Sequence, residues 1–333
     1  MATLDIFNDS AFGLTSLTAA INQNPEGQAS PDMLDALFSE DGVTTTSVFI
    51  DRQNDSLDLV PAAERGAPAS PTRSPKRDGI DFRTIHLPTD GVVLADEVQN
   101  IRAFGRESEL EQVQGFVDKR LLKMRQRLTA TIRYHRMGAV AGQIYDADGK
   151  TLLYDLFKQF GIKQQVQALG LATSTSGILQ KIVAAQRMAE DVIAGAAPIT
   201  GWQAVCGRGF MDAMTANEDI RQSFQRINEG TFLVNNYRGG FPYAGVMWKE
   251  YYGKLGSTEF IDTNSAYLIP TGVPDLLITR FAPANHIDVV NTTGVPYYAS
   301  LEMMKHGAGV DLLAQSNALN ICTRPRAIIK LTA

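Results

Sequence analysis

The sequence predicts an α+β fold from three features. These are a capped and unusually long amphipathic helix starting at residue 108, a helix, buried strand and helix in succession over residues 177 to 227, and a C-terminal third that reads as strands. At 333 residues and 44% hydrophobic content, the chain can bury a sizeable core, and its length suggests two or three domains. The net charge of −5, from 36 acidic against 31 basic residues, argues against a protein whose main task is to coat nucleic acid by neutralising phosphates. Cys206 and Cys322 are far apart and form neither a disulfide framework nor a CxxC metal site, so they read as buried, reduced thiols. MATLDIFNDSAFGL carries Asp5 and Asp9 where a signal peptide needs Lys or Arg, and no apolar run approaches the ~20 residues that span a bilayer. The expectation is a chain that is cytosolic when made, with no membrane partner.

Residues 1 to 40 mix apolar clusters (Ile6, Phe7, Phe12, Leu14, Leu17) with INQNPEGQASPD, whose Pro and Gly prevent one continuous helix. They read as an arm lying on something else. SPDMLDALF, Ser30 to Phe38, reads as a short helix with Ser30 as N-cap and Pro31 at its first position, ending near Gly42. VTTTSVFID (43 to 51) reads as a strand because β-branched residues crowd it. DLVPAAERGAPASPTRSPKRDG follows with Pro61, Pro68, Pro71 and Pro75 and almost nothing to bury, which makes it a tether. Its basic residues Arg65, Arg73, Lys76 and Arg77 suit a solvated segment or a contact to an acidic neighbouring chain better than they suit phosphate binding. IDFRTIHLPTDGVVLAD (80 to 96) places strand-like residues on both sides of Pro88-Thr89-Asp90-Gly91, and Asp-Gly predicts a hairpin turn there. On this reading residues 70 to 95 can be removed without unfolding the subunit. His86 has no ligand cluster nearby.

The long helix is announced by Ser108-Glu109-Leu110-Glu111, a capping box in which the Ser and the second Glu satisfy free backbone donors. Leu110, Val113, Val117, Leu121, Met124, Leu128 and Ile132 then recur at three- and four-residue spacing, and the stripe persists to about Ala141. That is a helix of roughly 30 residues, or about 45 Å. Acids Glu109, Glu111 and Asp118 come early; Lys119, Arg120, Lys123, Arg125, Arg127, Arg133 and Arg136 come late, as the helix dipole prefers. Gly115 and Gly138 interrupt the stripe, favouring a spine packed on a sheet over a coiled-coil arm.

YDADGKTLLYDLF (145 to 157) fails as a calcium loop, because position twelve from Asp146 is Phe157. It fails as a phosphate loop because Ile144 stands where the first Gly is needed. A hairpin turning at Asp148-Gly149 is the plain answer. GILQKIVAAQRMAEDVIAG (177 to 195) reads as a helix with Ile178, Ile182, Ala185, Met188 or Ala189, and Val192 on one face. WQAVCG reads as a buried strand, and residues 210 to 227 as two short helices with Asn217 capping the second. GRGF (207 to 210) lacks the third glycine and the downstream acid of a dinucleotide fingerprint. From Thr231 onward the pattern is strands. His86, His135, His286 and His306 stand apart, and GxSxG and HExxH are absent from the sequence. No catalytic, cofactor-binding or metal-binding residue is therefore assigned, and the chain is read as a non-enzyme. Two rivals stay open: an enzyme whose site assembles only in three dimensions, and a nucleic-acid-binding protein using Arg65 to Arg77 and the basic half of the long helix.

DIFNDSAFGLTSLTAAINQNP, LFSEDGVTTTSVFID, LVPAAERGAP, RESELEQVQ, YDADGKTLLYDLFKQFGI, YLIPTGVPDLLITRFAPAN and LLAQSNALNICTRPRAIIKL, in this order, resemble the lambda-type major capsid (major head) protein family of tailed bacteriophages. The order and spacing of these phrases across most of the chain carry the resemblance. It implies an HK97-like major capsid fold with an N-terminal arm (1–64), an extended β-hairpin loop (65–105), a spine helix and hairpin of the peripheral domain (106–160), an axial domain (161–260), and C-terminal strands completing the peripheral and axial domains (261–333). The implied function is a structural virion protein whose copies self-assemble into hexamers and pentamers of an icosahedral head shell enclosing the phage genome, made in the host cytoplasm. The implied subunit interface comprises Arg65, Arg73, Lys76, Arg77, Ile80, Phe82, Ile85, Leu87 and Val92 of the loop with Phe7 and Phe12 of the arm. Arg120, Lys123 and Arg127 are implied as inter-subunit or DNA-facing cations. Identical subunits are the implied partners, with packaged double-stranded DNA held weakly on the inner face. A decoration protein, a scaffold and a portal are further partners the family admits.

Overall fold

The computed structural model describes residues 12–23, 32–52, 78–99, 109–172, 177–193, 197–226, 239–256 and 258–333. In chain order its elements begin with α1 (Leu14–Gln23), β1 (Ser39–Gly42), β2 (Ser47–Arg52), β3 (Asp78–Arg83), β4 (Ile85–Leu94), α2 (Ala95–Gln99) and α3 (Glu109–Ala141). They continue with β5 (Gln143–Tyr145), β6 (Leu152–Asp155), α4 (Leu156–Gln159), β7 (Gln165–Ala168), α5 (Ile178–Ile193), β8 (Gly201–Cys206), α6 (Arg208–Ala216) and α7 (Glu218–Arg226). The remainder is strands with three single 3-10 turns (Ile287–Val289, Lys305–Gly307 and Pro325–Ala327) between them: β9 (Phe241–Tyr243), β10 (Val246–Glu250), β11 (Lys254–Leu255), β12 (Thr258–Glu259), β13 (Ser265–Thr271), β14 (Leu277–Phe281), β15 (Tyr298–Met303), β16 (Gly309–Cys322) and β17 (Ile329–Thr332). The chain divides into two compact units, residues 1–48, 82–133 and 278–320, and residues 49–81, 134–277 and 321–333.

The first unit is built on a sheet of β1, β14, β16 and β15, with β4 also paired to β16. Alternation of side chains puts Val310, Leu312 and Ala314 of β16, Ala299 of β15 and Val93 of β4 into one core. The predicted stripe of α3 covers them through Val117, Leu121, Met124 and Leu128, and Ile132 extends the stripe onto Phe281 and Ala318. Each such aliphatic side chain contributes about 1.5–3 kcal/mol when fully buried, so the stripe holds the helix to the sheet. At 33 residues α3 runs about 50 Å, far beyond the mean helix, as the stripe predicts. The arm contributes α1, whose Leu17 and Ile21 join the same core with Phe12, while the Asn22 side chain donates to the Tyr297 carbonyl at 2.8 Å. This part of the arm lies on its own subunit.

Two predicted elements of this unit come out differently. Residues 33–37 form tight turns instead of a helix, with backbone bonds Asp35 N to Asp32 O and Leu37 N to Leu34 O, both 3.0 Å. The aspartates compete for the backbone: Asp32 Oδ1 accepts from Leu34 N, and Asp35 Oδ2 accepts from Asp32 N. The proposed cap Ser30 and Pro31 lie outside the described residues. The hairpin at Asp90-Gly91 is also absent. β4 runs straight through it, antiparallel to β16, with Asp90 opposite Leu313 and Gly91 opposite Leu312. Alternation continues unbroken through residues 85–94, which outweighs a two-residue turn signal, and Pro88 takes an outward position on the strand. The two-stranded ribbon is instead β2 with β3, and residues 53–77 between them lie outside the described residues.

The second unit centres on a six-stranded sheet ordered β7-β17-β13-β8-β10-β9. β8, the predicted buried strand, is flanked by β13 antiparallel and β10 parallel. Its core joins Ala204 and Cys206 to Ile178, Ile182, Ala185 and Ala189 of α5, Phe210, Met211 and Met214 of α6, and Trp248 of β10. On α5 the last buried position is Ile193 and not the expected Val192. Asn217 caps α7 as predicted, its side-chain oxygen accepting from Asp219 N at 3.0 Å and Ile220 N at 3.5 Å. The glycines of GRGF have a packing reason: a Cβ on Gly207 would stand 2.3 Å from the Asp262 carbonyl oxygen, and one on Gly209 would stand 2.5 Å from the Asn264 side chain. β5 and β6 form the hairpin expected at Asp148-Gly149.

Candidate assembly surfaces

Among the described residues no group of three or more His, Cys, Asp or Glu is placed to hold a metal ion. Both thiols are fully buried and burial pushes their pKa values up, that of Cys322 to about 12, which makes them poor nucleophiles. What the described residues do offer is apolar and charged surface.

The outward row of β4 is His86, Pro88, Asp90, Val92 and Leu94. Val92 is 37% exposed, and two apolar neighbours that sequence reasoning missed accompany it: Leu94 at 44% and Leu313 at 39%, the latter on β16 opposite Asp90. Period-two alternation through residues 85–94 is the signal that would have found Leu94. On β2, Phe49 is 65% exposed, the most exposed aromatic ring of this ribbon, and it too was missed. At the far end of the outward row, His86 Nδ1 meets Asn317 Oδ1 at 2.7 Å.

The remaining expected interface residues separate clearly. Ile80, Ile85 and Leu87 are half-buried, and Leu87 packs against the first unit's core. Phe12 and Phe82 are buried within the subunit, so neither leaves surface for a neighbour. Phe7, Arg65, Arg73, Lys76 and Arg77 lie outside the described residues.

The basic half of α3 is partly neutralised by acids that come from elsewhere in the chain. Arg120 holds the Glu97 carboxylate through two contacts, 2.9 and 3.0 Å. Arg133 reaches Asp35 at 2.6 Å and Asp32 at 3.6 Å. Arg125 is buried with its guanidinium 5.5 Å from the Tyr297 ring centre. Lys123 and Arg127 are exposed, on a helix whose other cations are largely engaged. The acid partners are 23 and 98 residues away in sequence, which is why a helix-only reading sees an uncompensated charge run.

The model of a family described as phage major capsid protein E matches residues 13–333. The major capsid protein of Salmonella phage Felix O1 is 25% identical over 358 aligned residues, covering 97% of each chain. That of Pseudomonas phage KPP10 is 25% identical and covers 88% of this chain and 89% of its own. Among solved structures, a protein described as a prophage capsid protein from E. coli CFT073 has a TM-score of 0.56 at 12% identity, covering 96% of this chain and 98% of that one. The capsid of an empty GTA particle gives 0.50 at 11% identity, covering 92% and 91%. At such identities the structural likeness establishes the fold, which is α+β and HK97-like.

Proposed function

We propose, from the premise that this chain belongs to the phage major capsid protein E family, that it is the major capsid protein whose copies self-assemble into the shell of a phage head. The observation that carries this is the family match over residues 13–333, nearly the whole chain. The subunit's own physics agrees. A two-stranded ribbon is marginally stable alone, and one carrying an exposed Phe49 gains most by lying against another surface.

In our reading copies associate head-to-tail into rings of five and six, a heterologous contact that closes, and the rings join into an icosahedral shell around double-stranded DNA. The exposed parts of the arm (1–64) and the loop (65–105) make the contacts between subunits, each weak and each repeated many times. On the described residues each unit offers apolar contact surface of its own, Val92, Leu94 and Leu313 in the first and Phe49 in the second, while Lys123 and Arg127 supply weak DNA-facing or inter-subunit charge. An acidic balance keeps the inner wall from gripping the genome firmly. Assembly takes place in the host cytoplasm, where scaffold, portal and decoration proteins are further partners, and no catalytic step is required. Ion pairs of Arg120 and Arg133 within the subunit engage part of the basic half of α3 on which the nucleic-acid rival relies. Electron microscopy of purified protein tests the reading: closed shells support it, and a protein that stays monomeric while binding DNA with steep salt dependence replaces it with the rival.

A further inference from the structure

The second unit contains a groove of about 390 Å³ that nothing in the fold's own core explains. Its lining includes Tyr267 of β13 and its register partner Lys330 of β17. It is also lined by Tyr134 of α3, Tyr145 of β5 and Phe260 of the loop after β12, and the Tyr134 and Phe260 ring centres stand 5.1 Å apart. Glu259 and Asp262 also line the groove, their carboxylates accepting from the Thr263 and Ser265 hydroxyls, and Asp146 and Asp148 lie close enough to Tyr134 to hold its phenol pKa up, after burial. Lys330 and Lys254, the latter 4.0 Å from Glu259, offset part of this acidity. Rings with a flank of carboxylates suit an occupant that is both flat-sided and cationic.

The chain itself contains such a segment. Residues 61–77 hold Pro61, Pro68, Pro71 and Pro75 together with Arg65, Arg73, Lys76 and Arg77, against the single acid Glu64. Proline rings pack on aromatic faces, lack an N–H that would need a partner, and cost little conformational entropy to order. Guanidinium groups form charge-assisted bonds with carboxylates. We propose that this groove receives the proline-rich basic segment 61–77 of a second copy of the chain. This rests on the shell reading, and it deepens it: groove and segment are two different surfaces of one chain, which is what a head-to-tail ring requires. Fully extended, the segment reaches about 50 Å, enough to cross onto a neighbour.

Cysteine pairing tests this in the full-length protein, because both native thiols are buried. The variant Arg73→Cys/Glu259→Cys, oxidised after assembly, is expected to give a ladder of covalent multimers. The control Arg73→Cys/Asp212→Cys, with its second cysteine on the exposed side of α6, is not. A ladder of equal strength in the control, a link confined within one chain, or shells without links overturns the docking site. Shells without links leave the capsid reading intact, whereas a parent protein that forms no particles strikes at that reading instead. Independently of assembly, a labelled peptide of residues 61–77 is expected to bind the full chain saturably and about tenfold more weakly to Glu259→Lys. Equal binding to both proteins, or none, overturns the proposal.

Discussion

Met124 packs directly onto Gly91: its sulfur lies 3.1 Å from the point where a Cβ on Gly91 would stand. The glycine that looks like half of a hairpin turn therefore sits mid-strand, beneath the long helix, and opposite Leu312. Its role is to let a bulky helix side chain reach the sheet. Gly91→Ala is expected to change stability by no more than about 1 kcal/mol, because a flexible thioether can give a few tenths of an ångström, whereas Gly91→Leu overpacks the site by about 1–3 kcal/mol. Urea unfolding of unassembled subunits checks both; a large loss for Ala would restore the turn.

Arg133 holds the turns at residues 32–37 against α3 through two carboxylates. Arg133→Ala leaves Asp32 and Asp35 without their cation in a half-buried site and is expected to cost about 1–3 kcal/mol. A double-mutant cycle with Asp35→Asn should show coupling of about 1 kcal/mol, and additivity within error would mean the pair is incidental.

His135 is buried and neither ring nitrogen has a hydrogen-bond partner. Burial pushes its pKa from 6.5 down to about 4, against a smaller upward pull from Asp146. Below pH 6.5 the unfolded chain gains a proton that the folded subunit refuses until about pH 4, so stability is full above 6.5 and declines through that window as pH falls. At pH 5 the loss is about 2 kcal/mol. His135→Phe, compared by urea unfolding at pH 7 and pH 5, should lack this part of the acid sensitivity; an identical pH response would show that other groups cause it.

Deleting residues 70–95, as the sequence suggests, would remove β4 with its register pairs from Ile85 to Leu94 and the buried Val93. That variant is expected to unfold. Deleting residues 53–77 alone leaves every strand of both large sheets in place, and should give a folded subunit by circular dichroism that assembles poorly or not at all. Normal shells from the shorter deletion would remove residues 53–77 from the interface.

What the sequence disclosed and what it hid divide along the range of the interactions involved. The long helix, α5, the α6–α7 break at Asn217 and the hairpin at Asp148-Gly149 are local features, set by periodicity, the Asn217 cap and turn chemistry within a few residues, while Ser108 of the expected capping box lies outside the described residues. The pairing of β4 with β16, more than 200 residues later, is not local, and a two-residue turn signal could not compete with it. Charge in the basic half of α3 is hidden for the same reason: the Asp35 partner of Arg133 lies 98 residues upstream. The apolar surface was legible at Val92 but not at Leu313, which becomes its neighbour only once the strands are in register.

The claim on which the rest depends is that these surfaces are completed by other copies of the same chain. Electron microscopy of the purified full-length protein, with light scattering across a range of concentrations, measures it most directly. Closed, regular shells that fall apart into folded subunits on dilution or in mild denaturant are the predicted result. A protein that remains a folded monomer at every concentration, with Phe49 and Val92 shielded inside it, would contradict it.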